Sequence, residues 1–263
     1  KESGLKAPPN QQRILFEGTL DEAQDFYQQA EYIGPPTRAN ICLYTDGFPI
    51  VLPTEERVKK MLTGTSHKPD EIIALQSDKT VRSNEATVNG RANASTMVKK
   101  KGTPIEFSPN GWTATVEQVA VNAVMAGCKP EQLPVVLAIA ESGLPIGSTH
   151  SLGQFICVSG PVVKELGMNT GCGVFGPGSP ANSPIGHSYY LMSRNLGGGI
   201  PGVTRMNSLE GPFSNGGSCI AENADALPPG WEGLNEEFGY DKDQSIVMIM
   251  TPGGIQHQGF RPG

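Results

Sequence analysis

The chain has 263 residues, and 20 Lys+Arg against 26 Asp+Glu give it a formal net charge of -6. That length supports a buried core; 37% hydrophobic against 17% charged residues excludes a disordered chain, and the acidic balance excludes a polybasic nucleic-acid binder. The 33 Gly and 22 Pro follow no G-X-Y period, which excludes collagen and predicts tight turns between short elements.

No run approaches the roughly 18 apolar residues of a membrane span. Residues 1–12 are polar and lack an apolar signal core, so no membrane partner is expected. Five cysteines (Cys42, Cys128, Cys157, Cys172 and Cys219) are an odd number in a chain too long to need disulfide staples, which predicts reduced thiols and a cytoplasmic setting. With no CxxC pair and no metal-binding spacing among His67, His150, His187 and His257, a structural zinc site is not expected. The sequence identifies no cofactor.

In chain order, residues 1–38 read as an N-terminal arm and a helix over about 21–32, with Ala23, Phe26, Tyr27 and Ala30 at helical spacing. A single domain is expected over 39–263. Residues 40–44 predict a short strand closed by Thr45, Asp46 and Gly47, so Asp46 lies at a strand end, where ligand clefts of α/β folds form. Thr54 predicts a helix cap, with Glu55 and Glu56 complementing the positive helix end, and Gly64 a stop. A second short helix is expected over 69–75. The polar stretch over 77–103 reads as a hairpin-like excursion or a loop, within a polar insertion over about 77–111, and Lys99, Lys100 and Lys101 read as solvated surface.

Thr115 predicts the start of a helix to Ala126, stopped by Gly127, and a second, mostly apolar helix runs to about Glu141 with Pro134 in its first turn. Together they predict a helical hairpin. Residues 154–158 read as a buried strand turning at Gly160 into a short helix, a strand–turn–helix unit. A helix is expected over 180–196 and a central strand over 244–251. The fold class expected is α/β or α+β: a mixed sheet with a helical hairpin and many Gly/Pro-rich loops.

Three segments could carry chemistry. Residues 171–182 run a glycine-rich loop into a helix start, where unpaired amides and the helix dipole attract anions; Gly176, Gly178, Ser179 and Asn182 are its substrate-binding candidates. It has neither a Walker lysine nor the third glycine of a dinucleotide fingerprint. On the following helix His187, Tyr190 and Arg194 fall at i, i+3 and i+7 on one face, pairing a proton carrier with a cation for an acidic substrate. In residues 215–223, Cys219 is a candidate nucleophile, Glu222 a candidate base and Asn223 a ligand contact; Cys219 and Glu222 face together only on a helix. Cys172 is a weaker thiol candidate than Cys219. The expected site therefore has His187, Glu222 and Cys219 as catalytic residues, with Asp46, Gly176, Gly178, Ser179, Asn182, Arg194 and Asn223 binding substrate.

Residues 46–58 (DGFPIVLPTEERV), 120–131 (AVNAVMAGCKPE), the Gly176-Pro177-Gly178 loop and Ala221-Glu222-Asn223 together resemble a bacterial family associated with UGSC-type selenoproteins, over about residues 45–62 and 115–250. The resemblance implies a metabolic enzyme or one subunit of it. The small thiol or selenol domain of that family is absent here, and Gly216 stands where its first redox residue would be. The expectation is thus an enzyme of small-molecule metabolism, a homo- or hetero-oligomer, acting on a small anionic or carbonyl-containing substrate by lyase, hydratase or hydrolase chemistry. The alternative is a subunit whose partner supplies the thiol, selenol or metal.

Overall fold

The computed structural model describes residues 16–85, 93–144, 155–205 and 218–250. His150, His257 and Gly216 lie outside them. Helices and strands mix in the expected α/β or α+β manner, and among the described residues the strands form three small sheets. Helix α1 (Leu20–Tyr27) starts at a capping box between Thr19 and Glu22 and ends about five residues before the expected helix end. Ala30 and Tyr32 belong instead to strand β1 (Ala30–Ile33), which pairs antiparallel with β2 (Ala39–Cys42). This hairpin crosses residue 38, where the sequence suggested a boundary.

Helix α2 (Glu55–Met61) begins where Thr54 Oγ1 accepts the Arg57 N–H at 3.4 Å, and a 3-10 turn over Leu62–Gly64 closes it. Residues 69–75 are not the helix expected from their acidic first turn. Residues 69–70 form a turn and 71–75 are extended, with Ile72 bridged to Thr115 and Ala74 to Pro104, because Ile73 and Leu75 alternate into the core and take their backbone partners from two other segments. The polar insertion forms the antiparallel hairpin of β3 (Lys79–Glu85) and β4 (Asn93–Lys99). At its base Lys100 pairs with Asp78 at 2.7 Å on the surface.

Helix α3 (Val116–Met125) opens on a capping box of Thr115 and Gln118 and packs against α4 (Leu133–Ala140), giving the expected helix pair. Residues 129–132 form a separate 3-10 turn ahead of α4, over Pro130–Gln132. Strand β5 (Phe155–Ser159) is buried along its whole length and is the middle strand of the third sheet, in the order β6-β5-β7. Its turn at Gly160 leads into helix α5 (Val162–Glu165). Helix α6 (Asn182–Asn195) packs on α3, α4 and β6. Strand β6 (Ser218–Ala221) runs parallel to β5, while β7 (Ile246–Met250) runs antiparallel to it at the sheet edge rather than at its centre. The short helix α7 (Leu234–Glu237) lies between them in sequence. One continuous core joins α2, α3, α4, α6 and the β5 and β6 side chains.

Candidate functional site

The turn after β2 is built from its own side chains. Thr45 Oγ1 accepts the Gly47 N–H and Asp46 Oδ1 accepts the Phe48 N–H, both at 3.3 Å, around a Gly47 with φ +92 that other residues rarely adopt. That leaves Asp46 Oδ2 facing α6, where His187 Nε2 lies 2.8 Å away. The two side chains are only 15% and 14% exposed, and the Phe48 ring sits edge-on to the imidazole at 6.1 Å. A carboxylate can only accept, so Nε2 carries the proton and the lone pair is left on Nδ1, which has no hydrogen-bond partner among the described residues.

Two helical turns further on, about 10 Å along the axis, Arg194 is largely buried. Burial pulls its guanidinium below its ordinary pKa, and the nearby Cys42 and Asp46 counter this. Arg194 Nε is buried without a hydrogen-bond partner. The end of α6 is fixed to the same turn: Asn195 Nδ2 donates to the Tyr44 carbonyl at 3.1 Å and to Asn122 Oδ1 at 2.8 Å. Asn122 is buried on α3 and donates to the Gln118 carbonyl. The turn after β2, α3 and α6 are thereby fixed to one another, with the Asp46–His187 pair between turn and helix. Tyr190, on the same face in sequence terms, is buried under Arg205 at 5.6 Å.

The glycine loop does not present the amide nest expected of it. Ser179 Oγ accepts the Asn182 N–H at 3.2 Å, the Ser179 carbonyl accepts the Ser183 N–H, and residue 184 is proline, so the first turn of α6 has little left to donate. Asn182 Oδ1 takes the Asn169 N–H at 2.9 Å and its amide returns a bond to the Asn169 carbonyl, while Gly176 and Gly178 are exposed. Asn182 and His187 are five residues apart, about 140° around the helix, so the loop and the imidazole leave α6 on different sides.

Cys219 and Glu222 are separated as well, because 218–221 is a strand and residues three apart on a strand point to opposite faces. Cys219 is 6% exposed, and burial among Cys157 and Cys128 pushes its thiol far above the ordinary value. A thiol held protonated in the core lacks the electropositive, accessible setting of a nucleophile. Glu222 is a brace: it accepts from Ser159 Oγ at 2.5 Å and from the Leu234 N–H at 3.0 Å. Ser159 is fully buried and also bonds Asn235. Asn223 is exposed ahead of a 3-10 turn, and Cys172 is exposed in the glycine loop.

Of the expected site residues, Asp46 and His187 come into contact and Arg194, on the same helix, feels the Asp46 charge; Gly176, Gly178, Ser179, Asn182, Cys219, Glu222 and Asn223 do not join them. Sequence reasoning missed Thr45, Phe48 and Asn122. Asn122 alone left a signal, a polar residue inside the apolar face formed by Val119, Ala123 and Val124. Among the described residues no group of three or more His, Cys, Asp and Glu side chains is placed to hold a metal ion, and no helix is long and apolar enough to cross a membrane. No protein-family model, curated protein or solved structure matches the chain.

Proposed function

We propose that the chain is an enzyme of small-molecule metabolism in which His187 moves a proton on a small anionic or carbonyl-containing substrate, by lyase, hydratase or hydrolase chemistry. The observation that carries this reading is the 2.8 Å bond between His187 Nε2 and Asp46, two side chains largely shielded from water, with Nδ1 left to accept. Asp46 fixes the tautomer and stabilises the imidazolium formed when Nδ1 takes a proton from substrate or water. Arg194 supplies positive charge for a carboxylate or a developing oxyanion. Cys219 and Glu222 are left out of this chemistry because the core and the sheet already occupy them.

The test is turnover of a panel of small hydroxy acids, oxo acids and their esters and amides by the unmodified chain, His187→Gln and Asp46→Asn. Loss of a positioned acid–base group costs about 10²–10⁴ in rate. His187→Gln should fall by at least about 100-fold with its melting temperature little changed, and Asp46→Asn should shift the pH profile. Equal turnover by His187→Gln removes the assignment.

A second reading has one supporting observation. Phe48 is exposed against His187, and Leu43 and Val51 are exposed a few residues either side of Asp46 and Phe48, apolar surface suited to a partner subunit that supplies a thiol, selenol or metal. Native mass spectrometry of material from its source separates the two. A second polypeptide supports this reading, and a lone active homo-oligomer refutes it.

A further inference from the structure

A groove of about 400 Å³ lies away from the His187 site, between the extended segment 71–76 and helix α4. Its strand wall has a free edge. Along 71–75 the backbone groups of Glu71, Ile73 and Leu75 all point one way: Ile73 donates to Ala114 and accepts from Ile105, Leu75 donates to Thr103, and Glu71 accepts from Val116. In a strand the intervening residues point their N–H and C=O the other way. Ile72 and Ala74 therefore turn theirs toward the groove. Neither N–H, nor the Ile72 carbonyl, has a partner among the described residues; the Ala74 carbonyl accepts only the Gln76 side chain, at 3.1 Å.

The facing wall is one stripe of α4, where Pro134, Leu137, Ala138 and Glu141 fall at i, i+3, i+4 and i+7. The floor includes the buried Ile73 and Val116. The ionisable side chains lining the groove are two carboxylates and one imidazole, with no Lys or Arg. Glu71 sits at one end, bonded to His67 Nδ1 at 2.9 Å. Glu141 marks the other, held by the Gln76 N–H at 2.8 Å. Five extended residue steps separate Glu71 from Gln76, about 16 Å.

From this free edge, apolar floor and acidic ends we infer that the groove binds an extended peptide segment that adds a strand to the Ile72–Ala74 edge, with an apolar or β-branched centre and a basic residue near each end. The two half-buried edge residues, Ile72 and Ala74, repeat at the two-residue spacing of a peptide main chain, which gives affinity through main-chain bonds, and the carboxylates select Lys or Arg at the flanks. A small diamine could meet the carboxylates but not the edge. The inference is independent of the proposed acid–base chemistry.

The probe is the fluorescently labelled peptide Ac-Lys-Val-Thr-Val-Thr-Val-Lys-amide, with a control carrying Glu at both ends. It is measured by anisotropy against the full chain, Ala74→Pro, Ala138→Arg and the double variant Glu71→Gln/Glu141→Gln. Ala74→Pro removes an edge N–H that has no partner among the described residues, a position where an edge strand tolerates proline. Ala138 is exposed, so Ala138→Arg fills the groove from the surface.

The expected result is saturable binding of the lysine peptide, weakened about tenfold or more in each variant, with amide shifts at Ile72 and Ala74 by NMR. Circular dichroism and melting temperature confirm that each variant is folded, and Ala138→Arg tests the groove if Ala74→Pro does not fold. Absence of binding overturns the proposal, as does equal binding of the Glu peptide, equal binding by a folded variant, or displacement of the peptide by 1,4-diaminobutane at the peptide's own concentration. Sedimentation showing that the edge is covered by a second copy of the chain also overturns it.

Discussion

Asp46 shows how much one side chain decides in this molecule. One carboxylate oxygen closes its own turn and the other orients an imidazole from a helix 141 positions away. The cysteines divide by the same rule of environment. Burial holds Cys157 up at about 11, with the Glu222 charge adding to it, and holds Cys128 at about 12, while Cys172 is exposed and Cys42 half-buried. In the native chain a disulfide reagent should therefore titrate Cys172 fast and Cys42 more slowly, leaving Cys128, Cys157 and Cys219 unreacted until unfolding. Fast labelling of five thiols would contradict this packing. The buried thiols also set an alkaline limit. A folded-state value above the unfolded 9.0 means that the folded chain holds more protons, so this contribution is complete below about pH 9 and is lost as pH rises through 11 and 12. Cys157→Ala should flatten the fall in urea midpoint between pH 9 and 11.

At the scale of elements, the turns matter as much as the strands. Gly160 follows the central strand β5 with φ +97, and a side chain there would run into the Gln244 carbonyl and Ser245 just ahead of β7. Ser245 also accepts the Val162 N–H that opens α5. Gly160→Ala should cost at least about 2 kcal/mol in urea unfolding, the left-handed backbone penalty plus displacement of the β7 approach. Helix starts were legible in the sequence because their chemistry is local: Thr54 and Thr115 each cap the helix that follows them. The segment 69–75 was not, since its acidic first turn is a helix signal and its pairing partners lie about 30 to 45 residues further along. The hydrophobic run of β7 reads as central, yet among the described residues it has a neighbour on one side only, which makes it an edge there.

Across the whole molecule, Glu222 marks the boundary between structure and catalysis. It ties the ends of β5 and β6 to the start of α7 through Ser159 and Leu234, and Asn235 extends that network to the Asp241 and Gln244 carbonyls. Glu222→Gln should lower unfolding stability by about 1.5–3 kcal/mol, the range for a hydrogen-bonded charge. His187→Gln should move it by less than about 1 kcal/mol. Urea unfolding at pH 7 compares them, and a Glu222→Gln chain as stable as the parent would remove Glu222 from the brace and return it to the candidate bases.

The sequence by itself determined the elements that depend on near neighbours: capped helices, the buried β5 run, and the shared α6 face of His187 and Arg194. Periodicity and capping act over three to seven residues, so they are written in the chain. Tertiary structure decided which surfaces meet. The Asn195 bonds to Tyr44 and Asn122 bring the Asp46 turn onto α6, Ser179 accepts the first amides of α6, and the bridges to 104 and 115 turn an expected helix into a strand edge. Those outcomes depend on pairings distant in sequence, whose energies exist only once α3, α4 and α6 have packed.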